Sequence, residues 1–344
     1  MRQHRIGERT VTRVGCGDVR LATAAARNVS AGDVERAVHS ALELGITLID
    51  AAEEEAAERL CGDAVRALRL RDAVVVACRV PELAPRAGAP RRDVLPERLP
   101  LAHVQQRIEA SLRATRLDVL PLAQLPLRAT WRASSAWPEL VGMCARLVRE
   151  GKVLAWGALC AGDDADDPAE LAELAAEPWL AALSIPYSLC ERRAEALLAA
   201  AAAAAAAGSK AILARRPLAG GALAGTLGPG GRLALHDDRR SLDDRTLERI
   251  AVLVARLAPL VEREPPAARS CDAARAVLER GRRPPNVEAM TAAELALRFV
   301  IDRGAIALPR LHRAEWIPEA ISAAAAPPLS PELLARLGAM LDEP

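Results

Sequence analysis

Short apolar runs alternate along this chain with longer segments whose apolar residues recur at helical spacing. VSAGDVERAVHSALELG (29–45) reads as a helix. Ser30 or Asp33 caps it, Val34, Ala37, Val38, Ala41, Leu42 and Leu44 give helical apolar spacing, and Gly45 stops it. ITLID (46–50) follows as a buried strand, a helix runs from about 57 to 69, and AVVVAC (73–78) is a second strand. Helices over 103–115, 138–151 and 291–304 each lead into another apolar run: LDVLPLAQL (117–125), KVLAWGAL (152–159) and AIALP (305–309). ALSIPY (182–187) and AILA (211–214) are further strands, and the alanine run ending before Gly208 is a helix, since alanine has the best intrinsic propensity. Repeated strand–helix alternation predicts a parallel sheet, and this many units predicts a closed (β/α)8 barrel. The only segment left for an eighth strand is ISAAAA (321–326). An open doubly wound sheet is the alternative, weakened because no GxGxxG follows an early strand.

No domain boundary is required, so residues 1–344 read as one barrel domain, with insertions near 86–100 and 263–286 and a glycine-rich excursion over 217–240. Composition excludes more than it selects. A formal net charge of +1 gives no bulk attraction to nucleic acid or to an anionic membrane. Seven scattered cysteines show no CxxC and no ligand spacing, so neither a disulfide framework nor a metal site is expected. The acidic group Asp163, Asp164, Asp166 and Asp167 fits no metal loop and reads as a solvated turn. The N-terminus lacks an apolar signal core and no run is long enough to span a bilayer, which makes the cytoplasm the expected compartment.

Five segments, in order, resemble the aldo-keto reductases: ALELGITLIDAA (41–52) with Glu58, Leu60 and Gly62 after it, SLRATRLDVLPLAQLP (111–126), REGKVLAWGAL (149–159), RRPLAGGALAG (215–225) and ELALRFVIDRGAIALPR (294–310). The resemblance runs from about residue 5 to 340. It implies a TIM barrel closed at its base by an N-terminal β-hairpin, placed at TVTRVGCG (10–17), and an NADPH- or NADH-dependent carbonyl reductase with its cofactor at the barrel's C-terminal rim.

Carried over residue by residue, the family's catalytic Asp falls on Asp50, its proton-donating Tyr on Glu55, its Lys on Arg79 and its His on Pro126. Arg79 keeps a positive charge and is expected to pair with Asp50 or Glu55, but arginine is planar and does not deprotonate. Glu55 would need a strongly raised pKa to donate a proton, and Pro126 has no donor. At the cofactor positions the carboxamide-holding pair becomes Leu159 and Cys160, the Gln beyond it becomes Ser184, and the aromatic that stacks on the nicotinamide becomes Arg215. In the adenosine-phosphate segment a Gly becomes Arg310 and an Asn becomes Ala320, while Arg313, His312 and Glu319 stay as nucleotide contacts. Three readings follow. The first is a catalytically degenerate barrel kept for a small-molecule ligand at its mouth or for a protein partner. The second is an active NADP(H)-dependent reductase using Glu55 as its acid, and the third a non-redox lyase or cyclase using Glu55 and Arg79. Outside those positions, Glu53 and Glu54 read as charge at a helix start, Tyr187 as a packed rim residue, Cys160 as an inert thiol facing the carboxamide site, and His39 and His103 as ordinary surface residues.

Overall fold

The structure is a computed structural model that describes residues 3–84, 94–160, 168–203, 210–231, 233, 237–260 and 290–340; side chains at 201–203, 238 and 241 are not described. An antiparallel hairpin, β1 (Gln3–Ile6) and β2 (Arg9–Thr12), precedes eight parallel strands. These are β3 (Cys16–Val19), β4 (Leu48–Ala51), β5 (Val75–Arg79), β6 (Leu122–Pro126), β7 (Trp156–Leu159), β8 (Leu180–Pro186), β9 (Ala211–Arg215) and β10 (Ile306–Leu308). Each pairs with the next in chain order. A parallel bridge from Val14 to Ala307 brings the first strand to the last, and Gly15 N–H and Gly17 N–H donate to the carbonyls of Ala307 and Pro309 at 2.9 and 2.8 Å. At this seam a Cβ on residue 17 would stand 2.1 Å from the Leu308 carbonyl oxygen, so only glycine lets the backbones meet.

The barrel expectation holds, but two of its parts lie elsewhere. The eighth strand is Cys16–Val19, not 321–326, which is inside the helix Ile317–Ala325. The hairpin is correspondingly earlier than 10–17, ending at Thr12. A four-residue strand of Cys, Gly, Asp and Val carries too weak an apolar signal to be read alone, and only its neighbours supply its hydrogen bonds. The insertion at 263–286, part of that at 86–100 and the acidic group at 163–167 lie outside the described residues.

Period-two alternation sorts the strand residues into two buried layers. Leu48, Val75, Ala77, Leu122, Ala182, Ala211, Leu213, Ile306 and Leu308 point inward, and Ile6 and Val11 of the hairpin close the floor beneath them. Ile49, Val76, Cys78, Ala123, Leu125, Ala158, Leu183 and Ile212 point outward against the helices. The helix Ala31–Glu43 starts on the predicted Ser30–Asp33 capping box. The helices Glu55–Ala67 and Leu101–Thr115 approach so closely that a Cβ at Gly62 would stand 2.0 Å from the Thr115 carbonyl oxygen. Beside that contact Glu58 is fully buried and held by Arg107 at 2.5 Å and Ser111 at 2.8 Å. Those matched family residues, Glu58 and Gly62, therefore serve helix packing. Among the described residues no helix is long and apolar enough to cross a membrane.

Candidate functional site

The same alternation decides what reaches the barrel's mouth. Continuing the inward register toward the strands' C-terminal ends gives Asp50 after Leu48, Arg79 after Ala77, Gln124 after Leu122, Ser184 after Ala182 and Arg215 after Leu213. Apolar layers below and polar residues at the C-terminal ends place the chemistry of a (β/α)8 barrel at this face.

Asp50 is fully buried and Arg79 nearly so. The guanidinium forks onto the carboxylate: Nε donates to Oδ1 at 3.1 Å and Nη2 to Oδ2. Asp50 also accepts from Gln124 Nε2 and from the Asp18 N–H, each at 3.2 Å. The third Arg79 nitrogen, Nη1, donates to Asp18 Oδ1 at 3.0 Å, and Arg310 donates to the other Asp18 oxygen. Arg20 donates to Glu53 at 2.7 Å and lies 3.7 Å from Asp18, and Glu53 lies 3.8 Å from Arg79. Burial pushes the Arg79 pKa down, but Asp50 and Asp18 outweigh it and raise it further above its ordinary value. Burial likewise raises Asp18, and Arg79, Arg310 and Arg20 outweigh it and hold the carboxyl below the usual range.

Arg215 stands apart from this lattice. Its Nη2 donates to the Cys160 carbonyl, while its Nε is buried with no hydrogen-bond partner among the described residues. Burial, then repulsion from Arg79, brings its pKa down to about 10. Gln124 Oε1 and Ser184 Oγ are also buried and unpartnered.

Several expected placements are corrected. Glu55 begins the helix Glu55–Ala67 with its side chain 67% exposed, and it pairs with Arg59 at 2.7 Å rather than with Arg79. A five-residue step from the strand's Asp50 carries it past the mouth onto the outer helix. Glu54 is the N-cap residue of that helix and Glu53 precedes it, so both stand at the helix start, but their side chains do more than supply charge there. Glu53 binds Arg20, and Glu54 accepts from the Leu21 N–H at 2.7 Å, so the pair ties the loop after β3 to the loop after β4. The Cys160 side chain packs in the outer core layer, and only its carbonyl meets Arg215. His103 is no ordinary surface group: its Nε2 lies 2.8 Å from the Pro81 carbonyl. Tyr187 is buried and stacked on Phe299, as a packed rim residue should be. Pro126 ends β6 and Leu159 ends β7, neither offering a side-chain hydrogen bond. Sequence reasoning missed Asp18, Arg20 and Gln124. Asp18 lies within a strand too weak to recognise, and its positive φ of 46° marks it as a special position only once the backbone is known.

A cleft of about 1130 Å³ opens beside these residues, running from Asp50, Arg79 and Arg215 to Arg310, His312, Arg313 and Glu319. Eight arginines and four carboxylates line it. At its far end Glu319 accepts from Thr291 at 2.5 Å, and Arg313 lies over the Trp316 ring at 6.0 Å. His312 is almost fully buried with Nε2 unpartnered, and burial together with Arg310 lowers its pKa to about 4. Among the described residues no group of three or more His, Cys, Asp or Glu is placed to hold a metal.

Comparison with known proteins agrees with this architecture. An aldo-keto reductase from Klebsiella pneumoniae solved in complex with NADPH is 24% identical, with a TM-score of 0.61 over 100% of this chain and 96% of that one. The glycerol dehydrogenase of Gluconobacter oxydans superposes with a TM-score of 0.67 at 20% identity, covering 98% of this chain and 94% of that one. An aldo-keto reductase from Bacillus halodurans in its holo form gives 0.64 at 18% identity, with 100% and 96% covered. These likenesses carry the fold. A search of curated protein sequences found no match. The sequence model of the aldo/keto reductase family matches residues 13–342, nearly the whole length, and the chain belongs to that family.

Proposed function

We propose that this barrel has given up the family's nicotinamide-dependent carbonyl reduction and works as a binding protein for a polar small molecule at its mouth. One observation carries the reading: among the described residues, none of the side chains at the family's Tyr, Lys and His positions is placed to donate a proton to a nascent alkoxide. Arg79 is committed to Asp50 and Asp18, Glu55 lies outside, and Pro126 has nothing to donate. Arginine is effectively always protonated, so Arg79 does not substitute as the acid.

The residues present do not fit the nicotinamide half of the family's cofactor. The stacking position holds Arg215, whose guanidinium reaches across to the Cys160 carbonyl on the next strand but one. A positively charged oxidised nicotinamide would meet a buried cation there. Leu159 offers no hydrogen bond to a carboxamide. The same arrangement disfavours the readings that use Glu55, as an altered acid or as a partner to Arg79, because the two side chains are not brought together.

The test is a titration of NADPH and NADP+ followed by fluorescence quenching, with a panel of aldehydes and ketones assayed for NADPH oxidation. No turnover above background is expected. Turnover of any panel member that disappears when Arg215 is changed would overturn the reading.

A further inference from the structure

The charges at the mouth do not balance. Arg20, Arg79, Arg310 and Arg215 face Asp18, Asp50 and Glu53, and each carboxylate lies within ion-pair distance of one or more of the first three arginines. No carboxylate among the described residues comes within ion-pair distance of Arg215, yet the residue is half-buried and its Nε is shut off from water. A desolvated cation without a countercharge is costly and persists where something else satisfies it. Arg215 lines the cleft, so its side chain is within reach of a molecule bound there.

We propose that Arg215 is an anion receptor, and that the ligand of this cleft is a small organic oxyanion, a carboxylate or a phosphate ester, whose charged head docks on the Arg215 guanidinium. The proposal rests on the reading of the mouth as a binding site. Arg215 offers the positive charge of its planar guanidinium to an oxyanion in the cleft while Nη2 stays on the Cys160 carbonyl. The lattice of Arg79, Asp50 and Asp18 serves as a rigid wall, its charges already spent on one another, so the surplus of one positive charge sits at Arg215. The remaining cleft, about 1130 Å³ in all, accommodates the body of the ligand.

The experiment uses the full chain with sodium acetate and sodium phosphate as separate titrants, at ionic strength held constant with sodium chloride, followed by calorimetry and by the thermal midpoint. Saturable binding of either titrant is expected. In Arg215→Met it should weaken about tenfold or more, the loss of one charge-assisted contact, while Arg215→Lys retains part of it. Without titrant, Arg215→Met should melt no lower than the native protein, since it removes an uncompensated buried charge, so lost binding is not lost folding. Binding of acetate alone assigns a carboxylate, and of phosphate alone a phosphate ester. Equal binding by native and Arg215→Met proteins, or no saturable binding of either titrant by the native chain, would overturn the proposal. The NADPH assay is independent: aldehyde turnover removes the binding-protein reading, whereas a silent assay with unchanged anion binding in Arg215→Met removes only the role of Arg215.

Discussion

Replacing Arg79 with methionine isolates the interaction that organises the mouth. The guanidinium makes two hydrogen bonds to a carboxylate with no solvent exposure and one to Asp18. Methionine keeps much of the bulk and removes the charge. Asp50 would retain only the Gln124 amide and the Asp18 N–H, both neutral donors, while Asp18 would retain Arg310. Leaving one member of a buried pair uncompensated costs about 3–5 kcal/mol. An unfolding entropy of about 2.1 cal/mol/K per residue over 344 residues amounts to about 0.7 kcal/mol/K, so the thermal midpoint should fall by about 5 °C. Adding Asp50→Asn to the same chain removes the stranded charge and should recover about 2 kcal/mol or more. The assay is thermal and urea denaturation of both single variants and the double variant at pH 7, closed as a double-mutant cycle. A loss below about 1 kcal/mol for Arg79→Met, typical of an exposed pair, or a double variant no more stable than Arg79→Met, refutes the claim that a buried, coupled ion pair locks this face.

Three further outcomes follow from other parts of the molecule. His312 titrates near 4 when folded against about 6.5 when unfolded, so below pH 6.5 the unfolded chain binds the extra proton; stability should fall by about 3 kcal/mol between pH 6.5 and 4. His312→Gln should flatten that slope in pH-dependent denaturation, only in part because His4 is lowered in the same direction. Restoring the family's residues together, as Glu55→Tyr, Arg79→Lys and Pro126→His, should not produce NADPH oxidation with aldehydes, because position 55 points outward to Arg59 and Arg215 still fills the stacking position. Gly62→Ala should cost more than about 3 kcal/mol in urea denaturation, or prevent soluble expression, because the added Cβ would collide with the Thr115 backbone rather than with a movable side chain.

The order of strands and helices was legible because each barrel unit carries its own signal. The capping box at Ser30, the apolar stripe behind it and the run at Leu48–Ala51 are local facts of composition and spacing. So were the identities of Glu55, Arg79 and Pro126 at the positions matched to the family's Tyr, Lys and His, since residue identity at a motif position needs no coordinates. The first barrel strand was not legible. Cys16–Val19 is short and half glycine and aspartate, and it exists as a strand because Leu48–Ala51 and the backbone near Ala307 supply its hydrogen bonds. A segment stabilised wholly by distant partners leaves little trace in its own sequence.

The sequence by itself determined the family and the barrel. Tertiary structure decided which side chains meet at its mouth. The glutamates after Asp50 look equivalent in one dimension. The turn from strand to helix sends Glu55 outward to Arg59, and leaves Glu53 and Glu54 holding the neighbouring loop. Asp18 and Arg79 are 61 positions apart in the chain and become neighbours only because β3 and β5, on either side of β4, end on the same rim of the sheet. Arg215 stands without a carboxylate for the same reason. Charge balance at the mouth is a sum over side chains from five strands and the loops that follow them, and no segment of the sequence contains that sum.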